Sequence, residues 1–435
     1  MKKIILLTLI SLLFLTSTVT AVPLHPKFKL TFTERFRFLA WDNAVTLDES
    51  AGAAQNFTRH RSCLMGQWTP RGDLELTLKL TNEFRYYFAP EDREFTLNEI
   101  FVDFLYVKWR NDKTLPGVLT VGRQNIILGE GFLVMDGHPL DGSRGIYFNA
   151  LRYDWDIKKD HRLTGFYSYM PSVDDWLPII NDQDQKLVEQ DEEGLGLYYS
   201  GKIKTTALET YYLRKNVKNA GKFDSEASSI NTVGSRLSLP LTPKLSYTVE
   251  AAYQFGKKGE ADRSAVGGHM HFDYRFRNEN ERFYLPVKTS LGAIYLSGDA
   301  PDNSANDTWG GWDPMFARWP KWSESYIYTQ IKEDAVAYWT NLASVFGTLG
   351  FKLTPSVNLD FAYHHLMATE KPPEGSSFPG GDGKTRGDLF IGQLTYKFDS
   401  KWSGHILWEV FTPGDYYFDG ADSYGWLRTE LMLTL

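Results

Sequence analysis

The sequence predicts an all-β protein, a transmembrane antiparallel up-and-down β-barrel with short periplasmic turns and long extracellular loops. Three observations support this fold class. The chain begins with an export signal, its apolar and polar residues alternate with a period of two to the last residue, and no later stretch approaches the ~18 apolar residues of a helical span. Because lipid satisfies no backbone hydrogen bonds, strands cross a membrane only as a closed barrel.

Residues 1–21 have the features of a secretory signal peptide. Lys2 and Lys3 form its basic end, residues 4–15 its apolar run and residues 19–21 a small-residue cleavage site. No linker or change of composition divides the remainder, so we expect residues 22–435 to form one barrel domain. The predicted location is the bacterial outer membrane.

The strand at 29–38 sets the pattern of the mature chain. One face carries Leu30, Phe32, Phe36 and Phe38, and the other carries Lys29, Thr31, Thr33, Arg35 and Arg37. The clearest case is 74–81, where four leucines alternate with Glu75, Thr77, Lys79 and Thr81. The same alternation recurs at 245–256, 269–277, 357–364, 390–397 and 427–435. The apolar faces are predicted to meet lipid and the polar faces to line the lumen.

Turn-type residues separate the predicted strands. Short breaks at 69–73, 240–243 and 354–355 predict periplasmic turns. Longer polar stretches predict extracellular loops at 42–58, 174–193, 257–266, 298–325, 370–387 and 412–424. A secreted sandwich or propeller also consists of alternating strands. The absence of a repeat every 40–50 residues argues against a propeller, and aromatic residues crowded at strand ends argue against a sandwich.

Composition excludes several other functions. The formal charge is −7, and removal of Lys2 and Lys3 leaves 45 − 54 = −9, which argues against a nucleic-acid binder. The single cysteine, Cys63, allows neither an intrachain disulfide nor a cysteine-built metal site. We expect no cofactor, because the glycine-rich stretch at 381–385 lacks the leading glycine of a phosphate loop.

The densest group of polar and glycine residues runs from 119 to 155. Alternation around Leu151 sends Arg152 and Asp154 to the lumen face. The same rule sends Arg123 outward, where a charge at the bilayer midplane costs about 2–4 kcal/mol. We therefore expect a bulge near Gly122 or a position of Arg123 at the barrel rim.

At this point the chain resembles the alginate-export family of outer-membrane porins. The motifs that carry the resemblance are Gly122-Arg123-Gln124 and the following Gly/Asp-rich loop, Asn149-Ala150-Leu151-Arg152, Glu250 with Gln254-Phe255-Gly256, Leu296-Ser297-Gly298-Asp299, Pro413-Gly414-Asp415 and Arg428. The resemblance spans nearly all of the mature chain. It implies a monomeric barrel of 18 strands, whose arginine-lined constriction passes an anionic polysaccharide outward from the periplasm.

An anion pathway also has a physical basis in the residues. A guanidinium group binds a carboxylate in two places and stays charged at any pH. The candidate pore-lining residues are Arg35, Arg37, Arg85, Arg123, Arg152, Arg275, Arg277 and Arg428, with Lys79 in support. The alternative is that these side chains only stiffen the wall by pairing with Glu75, Glu83, Asp154, Asp273 and Glu430.

The histidines and tryptophans allow weaker hypotheses. His269, His271 and Asp273 share one strand face but spread over ~13 Å, so they cannot close around a metal without a ligand from elsewhere. We expect ordinary lumen residues there and no metal site. Four tryptophans of the longest loop predict anchoring at the headgroup level or packing, with stacking on sugar rings as the alternative: Trp309, Trp312, Trp319 and Trp322.

The predicted function is a passive channel for anionic solutes, above all an acidic polysaccharide or oligosaccharide. The expected partners are that glycan, outer-membrane lipid, the barrel-insertion machinery and, for export, a periplasmic secretion complex. One alternative is a porin for small anions or oligosaccharides. Another is a barrel whose loops bind glycan without conducting, or an outer-membrane enzyme. We predict no enzyme, because Ser62 and Ser143 lack the G-x-S-x-G context of a nucleophile.

Overall fold

The computed structural model describes residues 26–44, 46–90, 99–111, 113, 116–135, 147–181, 191–218, 226–276, 286–300, 308–317, 321–323, 339–372 and 374–435. The predicted signal peptide lies outside these residues. Within them, no helix is long and apolar enough to cross a membrane.

Eighteen long strands form the wall, and a two-residue strand, β14, lies in the loop between β13 and β15. The first ten strands are β1 (Phe28–Trp41), β2 (Gln55–Arg71), β3 (Leu74–Ala89), β4 (Ile100–Asn111), β5 (Gly117–Gln124), β6 (Phe148–Lys158), β7 (His161–Met170), β8 (Glu192–Ile203), β9 (Thr206–Val217) and β10 (Ser228–Pro240). The others are β11 (Leu245–Lys258), β12 (Ala261–Arg275), β13 (Pro286–Leu296), β14 (Thr308–Trp309), β15 (Leu342–Thr354), β16 (Val357–Met367), β17 (Thr385–Lys397), β18 (Trp402–Pro413) and β19 (Tyr424–Thr434).

The long strands pair antiparallel with their neighbours in chain order. β13 pairs with β15, and β14 adds to β12 in parallel at Asp262 and Arg263. β1 pairs with β19 from Thr33↔Thr434 to Trp41↔Trp426, which closes the sheet on itself. The predicted antiparallel barrel and its implied 18 strands are confirmed.

Burial follows the predicted period of two. On β3, Leu78 is 42% exposed on the outside, whereas Lys79 on the next position is 8% exposed. On β6, Leu151 is 51% exposed and Asp154 is 7% exposed. A core formed from alternate residues therefore lies inside the barrel, and the apolar outer residues form the lipid-facing band.

One predicted loop is wrong. Residues 257–266 form no long loop, because β11 continues to Lys258 and β12 begins at Ala261. Gly259 makes the tight connection with a φ of 57°, a left-handed conformation that suits glycine. The polar residues there belong to strand ends that extend past the apolar band. Similarly, β2 begins at Gln55, inside the loop predicted at 42–58.

The wall has an irregular position at the end of β5. Gly122 has φ of 120°, and a Cβ atom there would lie 2.2 Å from the carbonyl oxygen of Leu105. β5 ends two residues later, and beyond its end Ile180 from the next extracellular loop pairs with Ile100 of β4. The gap left in the wall by the short β5 is therefore closed by a loop.

Candidate functional site

The lumen face of β1–β3 carries a group of closely spaced arginines. Antiparallel register places Arg35 opposite Arg61 and Arg37 opposite Arg59, and β3 places Arg85 opposite Arg59. We call these five residues the arginine ladder. Like charges directly opposite each other destabilise a sheet. Stability alone therefore does not account for this arrangement.

Glu83 on β3 holds three members of the ladder together. Its carboxylate oxygens lie 2.5 Å from Arg59 Nε, 3.4 Å from Arg35 Nη2 and 3.5 Å from Arg61 Nε. The Glu83 side chain is 3% exposed. The buried carboxylate orients Arg35 and Arg59 through charge-assisted hydrogen bonds, and it attracts Arg61 by its charge.

Residues on neighbouring strands extend this basic surface. Arg37 Nε lies 2.5 Å from Glu430 Oε2 on β19, and Arg428, two residues earlier on that strand, also faces the lumen. On β3, Lys79 Nζ lies 2.8 Å from Asp103 Oδ2 of β4. The basic surface thus runs across the seam where the first and last strands meet.

Two extracellular segments fold back into the lumen. We call residues 125–135 and 308–317 the inner segments. Val134 and Phe316 form a parallel bridge between them, and the Phe316 amide donates to the Leu133 carbonyl at 2.9 Å. Phe132 stacks on Trp312 with the ring centroids 5.5 Å apart. The two segments therefore form one packed unit.

Lumen-facing side chains of the wall anchor the second inner segment. Lys215 Nζ on β9 lies 2.5 Å from Asp313 Oδ1, and neither side chain is more than 3% exposed. The Gln254 amide on β11 makes two hydrogen bonds with the Asp313 backbone, at 2.6 and 2.9 Å. Arg263 on β12 donates to the Gly311 carbonyl at 2.6 Å. The inner segments consequently narrow the lumen on its β9–β12 side.

An acidic group lies on the wall opposite the arginine ladder, since β10 is halfway around the ring of long strands from β1. We call Glu130, Glu209 and Glu250 the glutamate cluster. Arg236 on β10 joins two of its members, at 2.5 Å from Glu130 Oε1 and 3.1 Å from Glu209 Oε1. Acidic and basic walls that face each other set up a field across the lumen.

Glu130 also ties the first inner segment to Lys321, whose Nζ lies 3.1 Å from Glu130 Oε2. Burial alone would raise the pKa of the Glu130 carboxyl, but the bonds and charges of His271, Lys321 and Arg236 outweigh it and hold that pKa well below its usual range. Burial lowers the pKa of the Lys321 ammonium, and Glu130 opposes this shift. Glu130 is therefore a carboxylate at neutral pH.

Residues 27–426 match the family profile for alginate export. The chain belongs to the alginate export family. A comparison with curated protein sequences finds no match.

The barrel of this family member is similar to solved structures from Pseudomonas aeruginosa. OpdO has a TM-score of 0.59 at 12% identity, with 94% of this chain and 97% of that chain covered. The outer membrane protein OpdK has a TM-score of 0.58 at 10% identity, with coverage of 94% and 98%. OccK2 (OpdF), solved in complex with glucuronate, has a TM-score of 0.57 at 12% identity, with coverage of 94% and 96%. Family and fold together make the protein an outer-membrane porin.

The residues predicted to line the pore of this alginate-export porin occupy four kinds of position. Five lie together on the lumen face of β1–β3 and β19: Arg35, Arg37, Lys79, Arg85 and Arg428. Arg152 faces the lumen elsewhere and bonds Asp154 at 2.9 Å. Arg275 is exposed at the periplasmic end of β12, on the other side of the barrel. Arg277 lies outside the described residues.

Arg123 does not face the lumen, which corrects that part of the prediction. It lies at the rim beside Gly122, as alternation suggested, and its side chain is fully buried in the wall. Its guanidinium group donates to Asp174 at 2.7 and 3.1 Å and to the Val102 carbonyl at 2.8 Å. It lies over the Tyr147 ring at 3.7 Å. Arg123 therefore joins the end of β5 to the loop that closes the wall.

Some of the carboxylates predicted to stiffen the wall do pair with arginines, and others pair elsewhere. Glu83, Asp154 and Glu430 contact arginines, whereas Glu75 contacts Lys108 and Asp273 contacts His271.

Two of the loop tryptophans, Trp312 and Trp322, pack inside the lumen against Phe132 and Trp339. Trp309 lies under the ammonium of Lys258, and Trp319 lies outside the described residues.

Sequence reasoning missed Arg59 and Arg61, which complete the ladder. The alternation was present, since Phe57, Arg59, Arg61 and Cys63 have the same parity and face the lumen. Extension of the strand backward from the predicted turn at 69–73 would have included them. Glu130, Lys321 and Asp313 carried no such pattern, because they lie in segments without strand periodicity.

Proposed function

We propose that this porin is a passive channel for anionic solutes, and that its substrate is an alginate-like acidic polysaccharide or its oligomers. The observation that carries the proposal is the register that sets Arg35 against Arg61 and Arg37 against Arg59 on the lumen face. Positive charges concentrated on one face of the lumen attract an anionic ligand. A carboxylate on each sugar is such a ligand, because a guanidinium fork binds it in two places.

The spacing of the ladder suits a moving polymer better than a trapped one. Alternate residues on one strand lie about 6.6 Å apart, so the charges of Arg35 and Arg37, whose side chains are largely buried, act at neighbouring points along the wall. Conduction requires binding that is favourable enough for entry and weak enough for release. The glucuronate bound by OccK2 (OpdF) is a sugar carboxylate of the chemical class proposed here.

A second basic surface also favours anions over cations. A cavity of 460 Å³ beside β3–β7 has aromatic and neutral side chains in its lining together with four cations and two carboxylates: Lys108, Arg110, Arg152, Arg162, Glu75 and Asp154. We propose that it forms a basic vestibule next to the ladder. No bond chemistry is needed for this function, so we propose no enzymatic activity.

The inner segments favour one further candidate function. Because they pack in the lumen through Phe132, Trp312 and Phe316, a barrel that binds glycan without conducting is the second candidate. We propose outer-membrane lipid as the surroundings of a monomer, the barrel-insertion machinery for assembly, and a periplasmic secretion complex as the partner that delivers the polymer for export.

The test is the reversal potential of the refolded protein in a planar bilayer under a salt gradient, repeated with polyuronate. Anion selectivity with current block by the polymer is the expected result. Conductance with neither effect would reduce the protein to a general porin, and a silent bilayer with verified insertion would favour the non-conducting barrel.

Paired variants sharpen this test because they change the ladder in opposite directions. Arg61→Gln removes one positive charge from it, and Glu83→Gln removes the negative charge that three of its members share. Anion preference is expected to fall in the first variant and rise in the second. Shifts of the same sign in both would contradict the assignment of the ladder to the ion path. Arg71→Gln, which removes an arginine whose side chain is 64% exposed at the β2–β3 turn, is the control and should leave the reversal potential nearly unchanged.

A further inference from the structure

A group of metal-ligand side chains lies in the lumen, apart from the arginine ladder. Glu130 of the first inner segment meets His269 and His271 of β12, and one ligand atom from each lies within 4.8 Å of the others. Among the described residues this is the only group of three such side chains that meets this criterion. The two histidines alone could not converge, and the loop carboxylate supplies the third ligand.

His271 is oriented toward this group by a second carboxylate. Its Nδ1 lies 2.9 Å from Asp273 Oδ2, and Ser290 donates to the other Asp273 oxygen at 2.6 Å. An ionised carboxylate only accepts, so Nδ1 carries a proton, and Nε2 points at Glu130 Oε2, 3.6 Å away. Metal binding at Nε2 takes the place of any proton on that nitrogen. Metal-binding histidines characteristically have such a carboxylate behind them.

The buried imidazole of His269 is a second feature that favours a bound cation. Its side chain is 1% exposed, and its Nε2 makes no hydrogen bond. Glu250 Oε2 lies 3.3 Å from this nitrogen, within ion-pair distance, and it is also buried without a well-aligned hydrogen bond. A buried nitrogen and a buried oxygen left in this state cost free energy, and a shared cation would satisfy both.

We propose that Glu130, His269 and His271 form a binding site for a divalent transition metal of the zinc class, with Glu250 beside it and Asp273 orienting His271. Two imidazoles and a carboxylate are the donor set that such a metal prefers. Ligands about 2.0–2.2 Å from zinc lie about 3.4 Å from one another, so closure requires the inner segment to approach β12 by roughly 1 Å. The side chains of Glu130 and His271 are 28% and 17% exposed, which provides an entry path.

The metal would compete with Lys321. The ammonium of Lys321 lies 3.1 Å from Glu130 Oε2 and supplies positive charge at the same carboxylate. Metal binding therefore displaces Lys321 and ties residues 125–135 to the wall through His269 and His271. Removal of the Lys321 ammonium should therefore strengthen metal binding.

The experiment is titration of the refolded, metal-free barrel with Zn²⁺ by calorimetry. One ion per chain is expected. His269→Gln/His271→Gln should abolish binding, Asp273→Asn should weaken it about tenfold, and Lys321→Met should tighten it. The matched control is His364→Gln/His365→Gln, which removes two histidines whose side chains point to opposite faces of β16 and should bind like the natural chain.

X-ray absorption of the zinc-loaded natural chain tests the site without any variant. A first shell with two imidazole nitrogens is expected. A shell of oxygen alone, no binding of Zn²⁺, binding that persists in the His269→Gln/His271→Gln variant, or weaker binding in Lys321→Met would each overturn the proposal.

Discussion

Arg123 and Arg59 have different roles in this barrel, although both are arginines. Arg59 lies in register with another arginine on the lumen face, where its charge adds to the field. Arg123 lies at the rim with Asp174, and both side chains are fully buried. This buried ion pair holds the loop to the rim, because removal of either partner would leave the other as an uncompensated buried charge.

Asp174→Asn is therefore expected to destabilise the folded barrel by about 3–5 kcal/mol. The measurement is urea unfolding of the protein in lipid vesicles. Asp262→Asn removes one partner of the exposed Lys257–Asp262 pair and should cost no more than about 1 kcal/mol. Equal stability of the two variants would show that Arg123 does not hold the loop to the wall.

At the scale of the elements, each strand contacts both lipid and the lumen, whereas each inner segment packs in the lumen alone. A strand such as β3 meets lipid through Leu76 and Leu78 and the lumen through Thr77 and Lys79. The inner segment at 308–317 is bonded to three wall strands through Lys215, Gln254 and Arg263. The strands therefore set the barrel, and the segments set how much of it stays open.

Leu78→Arg should impair assembly, because an arginine on the lipid face costs up to about 2–4 kcal/mol. Assembly is measured as the fraction of protein that shows the heat-dependent gel shift of a folded barrel. Leu241→Arg places the same charge in a periplasmic turn, where Leu241 is 50% exposed, and should assemble normally. Efficient folding of Leu78→Arg would contradict the facing of β3.

Lys215→Met should loosen the second inner segment and raise single-channel conductance, because it removes the buried ion pair between β9 and Asp313. The control is Lys257→Met, which removes an exposed ammonium at the end of β11. Unchanged conductance in a folded Lys215→Met barrel would mean that this segment does not limit the open path.

At the scale of the whole molecule, the charges are arranged across the lumen. The arginine ladder lies on β1–β3, and the glutamate cluster lies halfway around the ring on β9, β11 and the first inner segment. Salt screens such a field over about 8–10 Å at physiological ionic strength. A charged solute that passes within this distance of the wall charges is therefore attracted or repelled by them.

Liposomes that contain the porin should therefore swell faster in uronate oligosaccharides than in neutral oligosaccharides of equal length. The difference should shrink as salt is raised, because screening weakens the attraction to the ladder. Equal swelling rates at low salt would contradict selection by charge. Empty liposomes provide the background rate.

The sequence by itself determined the fold class and the facing of the strands. Period-two alternation is local, so the sequence around Leu78 and Lys79 places them on opposite faces without any information on strand pairing. It also placed Arg123 outside the regular pattern, which anticipated the irregular wall at Gly122. The orientations of Arg35, Arg37, Lys79 and Arg428 followed from the same rule.

Only the tertiary structure decided which residues meet. Register between β1 and β2 brought Arg59 and Arg61 to the ladder, and register depends on pairing rather than on either strand alone. The folding of residues 125–135 into the lumen brought Glu130 to His269 and His271, more than 130 positions further along the chain. Such contacts are long-range, and no local period encodes them.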